Sequence, residues 1–407
     1  MAPEDGPATS VTHCNSSNLV VLASGLDTAS NGETRCDTVI AVVNPGEEHV
    51  MTSVSIPVMK PVLPTIDAVN VYLERVYASG IFSNHGPLVR ELEQRYADWF
   101  NVSADNVVAV VNGTVAISAA ALWEDNPTYL SPEWTFPATA MGVLSVGGSV
   151  EFRDVDPESW TLSVTDDDLA HADSVVPLVV APFGHPIDLS DWSAFPRIII
   201  DAAACAGNRP DLSGMKKGWA ATISLHATKV LGCGEGGLVI FADPARAQIA
   251  REWINFGFSG SRITERVGTN GKMSEFAAAF ALAALDDVDT ELRDWGAVRD
   301  KAADVNTALG LSGGPMSPSS RIPYWLIAAP SVESAVVYEK ALADAGIQTR
   351  RWWPASLTET TPFRDFPTSG NSNSRFLAET VIGLPMFRSL SDEQFDYIRD
   401  VLAAHKG

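Results

Sequence analysis

Basic residues are scarce in this chain: Lys and Arg number 28 against 50 Asp and Glu, a formal charge of −22 over 407 residues. A field of that sign repels polyphosphate chains, so nucleic acid is excluded as an expected partner. A small anionic ligand needs local cations and backbone amides acting within a Debye length of roughly 8–10 Å. Cysteine is scarce too, and the four present, Cys14, Cys36, Cys205 and Cys233, show no CxxC or other metal spacing. They suit a reducing compartment, and no metal site is expected. No apolar run approaches the roughly 18 residues of a membrane span. Residues 1–30 lack a basic region, and the apolar piece Leu19–Ala23 is too short for a signal peptide. The expectation is a soluble, cytoplasmic protein with no membrane contact.

What is there is a globular composition, 46% hydrophobic and 19% charged, in a chain too long for one ordinary core. Residues 1–54 read as an extension of unassigned role, rich in Ser, Thr, Asn and Gly. Its two apolar runs, Leu19–Ala23 and Val39–Val43, are able to pair as strands around Asn31-Gly32. Residues 55–290 alternate apolar strands with helices, which predicts an α/β domain with a mostly parallel sheet. Residues 291–407, with helices at Trp295–Leu309, Ser331–Ala345 and Ser391–Ala404 and strands at Tyr324–Ala328 and from Ile347, predict a smaller α+β domain.

Chemistry-bearing residues fall at the ends of the predicted strands, where ligands bind in such sheets. The run Val107–Val111 leads into Asn112-Gly-Thr114 and an alanine-rich helix. A strand, a glycine turn and a helix start make an anion site, because free first-turn N–H groups point at the ligand; the bland alternative is a plain N-cap. Trp134, on a segment stiffened by Pro132 and Pro137, is placed to lay its ring over a ligand or to pack in the core. Ile198–Ile200 ends in Asp201, either a cap for Ala202–Ala204 or a functional carboxylate. Ser224-Leu-His-Ala-Thr-Lys229, followed by Glu235-Gly-Gly237, puts Lys229 in a tight loop ahead of the strand Leu238–Phe241. Desolvation there lowers an amine's pKa and leaves it nucleophilic. His185 and His226 lack a second ligand at metal spacing and read as structural. A lysine for an aldehyde, an acid for a ring nitrogen, phosphate donors and an apolar face are together what pyridoxal phosphate requires.

These motifs, with Asn255-Phe-Gly257 and Gly268-x-Asn-x-Lys-Met273, occur in the order found in the DegT/DnrJ/EryC1/StrS family of nucleotide-sugar aminotransferases, which the chain resembles from about Pro57 onward. The resemblance implies a fold-type-I pyridoxal phosphate enzyme acting as a homodimer with shared active sites. It further implies Lys229 as the lysine that takes the aldehyde, Asp201 as the partner of the ring nitrogen and Trp134 as the stacking aromatic. Gly113, Thr114 and Ser224 match the phosphate ligands, and Asn270, helped by Asn255, the reach across from the neighbouring subunit. Where many members carry Gln or His three residues beyond the aspartate, this chain has Ala204, so tuning of the ring oxygen must come from elsewhere.

By resemblance the amino donor is L-glutamate and the acceptor a nucleotide-diphosphate keto sugar, aminated at C4 of a 4-keto-6-deoxy sugar, with a 3-keto sugar as the alternative. Family members with histidine in place of the lysine are dehydratases, and Lys229 argues against that branch. Arg350 and Arg351 are candidates for the substrate diphosphate, and Ser83 and Asn84 for the entrance. A pyridoxal phosphate lyase and a non-catalytic regulatory protein of the same fold are the rival readings.

Overall fold

The computed structural model describes residues 19–21, 40–42, 56–315 and 320–406. The chain divides into two units, Met1–Ser53 and Val54–Gly407. In the first, β1 (Leu19–Val21) pairs antiparallel with β2 (Ile40–Val42), Leu19 facing Val42, the pairing the two apolar runs allow. The Asn31-Gly32 turn, Cys14 and Cys36 lie outside the described residues.

The second unit is organised on a seven-stranded sheet. Its strands are β3 (Val107–Val110), β4 (Thr128–Pro132), β5 (Ser149–Arg153), β6 (Val175–Val180), β7 (Arg197–Asp201), β8 (Gly218–Ser224) and β9 (Gly237–Phe241), in the order β3-β9-β8-β7-β6-β4-β5. Only β9 runs against its neighbours; the β8-β7-β6-β4-β5 pairings are all parallel. The helices of this part are α1 (Ile66–Ser79), α2 (Pro87–Trp99), α3 (Gly113–Ala120), α4 (Ala138–Leu144), α5 (Asp166–Ala170), α6 (Pro244–Trp253) and α7 (Glu275–Asp286).

Near-continuous apolar strands are what a sheet covered on both faces demands, since side chains alternate between faces. Val107, Ala109, Ile198 and Ile200 join one buried cluster with α1, α2 and α7, while Val108, Val110, Ile199 and Phe241 join another with α3, α4 and α6. Strand β8 escapes a reading of the sequence because Trp219-Ala-Ala221 has little of the β-branched character that marks strands. It occupies an interior position, so the Lys229 loop joins β8 to β9 and does not follow directly on β7.

The remainder comprises α8 (Val288–Leu309), β10 (Trp325–Ala328), α9 (Val332–Asp344), α10 (Ser372–Thr380), β11 (Val381–Leu384) and α11 (Asp392–Ala404). The expected domain boundary at 290–291 falls inside the first turn of α8. A strand from Ile347 does not form: Ile347 and Arg350 make only isolated bridges, to Ile56 and Gly383. The antiparallel partner of β10 is β11, with Trp325 facing Leu384. Four residues issuing directly from a helix carry too little periodicity to announce a strand.

Candidate active site

Three strand ends meet at the carboxyl edge of the sheet. After β3, Asn112 caps α3, its Oδ1 accepting from the Val115 N–H at 2.9 Å. The plain N-cap reading is therefore correct, and it leaves the first-turn N–H groups of Gly113 and Thr114 opening on a cleft that both residues line. A Cβ on Gly113 would stand 3.0 Å from Ser224 Cβ and 3.3 Å from its hydroxyl, so the missing side chain is what brings the turn against the end of β8. Gly237 makes the same allowance from β9, where a Cβ would come within 2.5 Å of the Asn112 carbonyl.

After β7, Asp201 is 7% exposed. Its Oδ2 accepts from the Thr139 hydroxyl at 2.7 Å and its Oδ1 from the Ala203 N–H at 3.2 Å. Thr139 is steadied in turn by Thr135, 2.9 Å away. Burial raises the Asp201 carboxyl above its ordinary range, opposed by the Thr139 hydroxyl, the Ala203 amide and the charge of Lys229. The bond to Ala203 closes a local turn; no α-helix begins there.

Between β8 and β9 the chain doubles back through paired backbone bonds, Leu225 N–H to Gly236 O and Ala227 N–H to Gly234 O, each 2.9 Å. At the tip of this loop Lys229 is half-buried, and its Nζ donates to the Tyr324 hydroxyl at 2.6 Å. Tyr324, immediately before β10, comes from the C-terminal part of the chain. His226 Nδ1 lies 2.8 Å from the Thr228 hydroxyl and its Nε2 3.7 Å from Glu235. Burial pushes the Cys205 and Cys233 thiols up to about 12, so neither is a candidate nucleophile.

These groups face one cleft of about 480 Å³, walled by Phe136, Phe183, Tyr324, Arg350, Trp352 and Trp353. That size and its mix of apolar wall and few polar groups suit a small organic ligand.

The model of the DegT/DnrJ/EryC1/StrS aminotransferase family matches residues 66–403. The chain belongs to that family. It is 28% identical over 363 residues to the dTDP-4-amino-4,6-dideoxy-D-glucose transaminase of Shigella dysenteriae, covering 84% of this chain and 96% of that protein. Among solved structures it resembles DesI, determined with its TDP-sugar product, with a TM-score of 0.71 and 27% identity over 86% of this chain and 93% of the other. A Bacillus cereus structure assigned as a PLP-dependent aminotransferase shares the fold, with a TM-score of 0.78 and 24% identity over 85% and 99% of the two chains. The architecture is the fold-type-I, aspartate-aminotransferase-like α/β class.

In this aminotransferase the residues fit pyridoxal phosphate on their own chemistry. The Gly113 cradle and the Ser224 and Thr114 hydroxyls offer donors to a phosphate, the buried Asp201 offers an acceptor to a ring N–H, and Lys229 offers an amine. Other expected residues do not reach the cleft. Trp134 is 2% exposed, its Nε1 donating to the Trp353 carbonyl at 2.9 Å, inside a cluster with Trp160 and Phe183. Its neighbour Phe136, 60% exposed, lines the cleft instead; two residues along an irregular segment suffice to reverse a side chain. Arg351 is held by Glu339 through bonds of 2.9 and 2.6 Å, which saturates its fork, while Arg350 lines the cleft.

Ser83 and Asn84 lie ahead of α2, away from their own chain's cleft, and Asn84 adopts φ 64°. Asn255 and Asn270 bridge one another on a separate ribbon, with Asn270 accepting from Lys272 at 2.7 Å. The His185 imidazole is buried with neither ring nitrogen hydrogen-bonded, and burial lowers its pKa to about 4. Among the described residues no group of three or more His, Cys, Asp or Glu side chains is placed to hold a metal, and no helix is long and apolar enough to cross a membrane. The residues a sequence reading misses are Thr139, Phe136 and Tyr324. Thr135 and Thr139, spaced one helical turn apart just after the tryptophan, were the available signal for the first.

Proposed function

We propose that the protein is a pyridoxal phosphate-dependent aminotransferase moving an amino group from L-glutamate to a nucleotide-diphosphate keto sugar, at C4 of dTDP-4-keto-6-deoxy-glucose. The product is an aminodeoxysugar for natural-product or polysaccharide glycosylation, made in the cytoplasm. The observation that carries this reading is the convergence of Lys229, Asp201 and the Gly113–Ser224 cradle on one cleft in a chain of this family.

When bound, pyridoxal phosphate supplies an aldehyde for the amino group and an electron sink for the breaking C–H bond. Gly113, Thr114 and Ser224 hold its phosphate with amide and hydroxyl donors. Asp201, oriented by Thr139, keeps a proton on the ring nitrogen as a counter-charge. Phe136 offers an aromatic face on the cleft, the part Trp134 leaves open by packing inward. The Lys229 amine would hold the aldehyde, and as a free amine it would carry a proton to and from substrate carbon. Arg350, over Trp352 at 4.9 Å, is the cation available on the wall for the substrate diphosphate.

A second copy of the chain completes the site. Tyr77, Phe82 and Phe276 form an exposed aromatic group with ring separations of 5.8–6.3 Å, beside Ser83 and Asn84. An apolar face of that kind favours a subunit contact. In such a homodimer Ser83, Asn84, Asn255 and Asn270 serve the neighbouring site.

The test is the visible absorbance of the purified protein before and after L-glutamate. A band at roughly 410–430 nm that moves to about 330 nm establishes the donor half-reaction, and its return on adding the 4-keto sugar nucleotide, but not a 3-keto one, establishes the acceptor. No band even after soaking with pyridoxal phosphate overturns the reading.

A further inference from the structure

A lysine that alternates between amine and ammonium needs a neighbour able to accept a hydrogen bond from one form and donate to the other. A carboxylate only accepts and a guanidinium only donates, whereas a hydroxyl does either by rotating. The Tyr324 hydroxyl stands 2.6 Å from Lys229 Nζ. Its ring is 6% exposed and gripped edge-on by Phe183, with centroids 5.4 Å apart at 71°, and by Trp352, at 5.1 Å and 86°. The phenol is thus held in place before any ligand arrives. On the same wall Ala204 contributes only a methyl group and backbone, so the loop after β7 offers no competing side-chain donor.

Of the other polar groups, two are bonded elsewhere. Asp201 is bonded to Thr139 and Ala203, and His226 to Thr228. Glu235 and Arg350 share the cleft with Lys229. On the far side of the loop, Lys60, Glu291 and Arg388 line a small cavity with it. Glu291 is engaged by the Leu231 N–H at 3.2 Å and the Trp295 Nε1 at 3.4 Å.

We propose that Tyr324 is a catalytic residue, its hydroxyl being the hydrogen-bond partner of the Lys229 amine in both protonation states. When a proton arrives on Nζ, the ammonium donates to the phenol oxygen; when the proton leaves, the phenol turns and donates to the nitrogen lone pair. The exchange is a rotation of the hydroxyl, and no proton is consumed. The small C-terminal part thereby supplies a working group to chemistry otherwise built on the large sheet.

This inference rests on the aminotransferase reading, and the experiment separates the two. Tyr324→Phe keeps the ring and its packing while removing the hydroxyl. Two quantities are followed in wild type and variant: the pH midpoint for uptake of pyridoxal phosphate by the apoprotein, and the single-turnover rate with L-glutamate. The bond to the charged ammonium is the stronger of the two, so its loss is expected to move the uptake midpoint down by about one pH unit. The half-reaction is expected to slow by about 10–100-fold. Tyr324→His, which restores a polar ring atom, is expected to recover part of that rate. A Phe variant with the wild-type midpoint and rate, or a His variant no faster than the Phe one, overturns the role of Tyr324 and leaves the aminotransferase reading intact. Wild-type protein that takes up no cofactor overturns both.

Discussion

The floor of the cleft and its wall are built on different terms. The floor, from Gly113, Thr114, Asp201 and Ser224, is fixed by the ladder of one sheet: Asp201 pairs with Thr222 across β7 and β8, and Gly237 with Ser224 and Val110 across β9. Each of its side chains sits where a strand ends, so backbone register alone brings them together. The wall and the rings packed behind it come from distant parts of the chain, Trp134, Trp160, Phe183, Tyr324, Trp352 and Trp353. Its contacts are mostly edge-to-face, except for Phe183 stacked on Trp353 at 4.1 Å. Polar chemistry is thus placed by hydrogen-bonded backbone and shape by side-chain packing, and the two should respond differently to substitution.

The comparison is broken most severely on the floor and in the loop that carries Lys229. Lys229→Arg should reduce amino transfer by about 10³-fold or more, because a permanently charged guanidinium cannot exchange the aldehyde; steady-state turnover with glutamate and keto sugar measures it. Asp201→Asn should cost roughly 10²–10³-fold in the same assay through loss of the counter-charge. It should also alter stability with a definite sign. The raised carboxyl pKa in the folded apoprotein means that stability present below the ordinary carboxylate range is lost as pH rises through the raised value. The Asn variant should therefore melt higher than wild type at neutral pH, with the gap closing in acid; equal pH dependence would remove the desolvation account.

Smaller effects sharpen the contrast. Ser224→Ala and Gly113→Ala should each weaken cofactor binding about tenfold or more, one by deleting a donor to the phosphate and the other by filling the cradle, without moving the visible band. Fluorescence titration of the apoproteins reads this. On the wall, Trp134→Phe should cost about 1 kcal/mol of stability by losing the bond to the Trp353 carbonyl, with cofactor affinity nearly unchanged. A large affinity loss would return Trp134 to the cofactor. The least should come from Arg351→Ala, about 0–1 kcal/mol, with no rise in KM for the sugar nucleotide, whereas Arg350→Ala raises it.

Much of the floor was legible because it consists of short contiguous motifs whose geometry is local. Asn112-Gly-Thr114 caps a helix wherever a strand precedes it, and Glu235-Gly-Gly237 contains the glycine that lets β9 pass the same turn. The parallel sheet announced itself through apolar runs, except at β8, where alanines carry no strand signal. The wall was not legible. Trp134 and Phe136 differ by two positions on a segment without regular period, so spacing could not say which ring faces the cleft. Arg350 and Arg351 are adjacent, and only the position of Glu339 on α9 divides ligand candidate from ion pair.

By itself the sequence determined the chemical inventory, an amine, an acid and an anion-binding turn at the ends of buried strands, because those features depend on residue type and on contacts within a few positions. Only the tertiary structure decided that Lys229 meets Tyr324, 95 residues further along the chain. It also decided that Phe136 and not Trp134 fronts the cleft. Those outcomes depend on the direction of individual side chains and on packing such as that of Tyr324 against Phe183 and Trp352, and a step of two residues in one segment exchanges the buried ring for the exposed one.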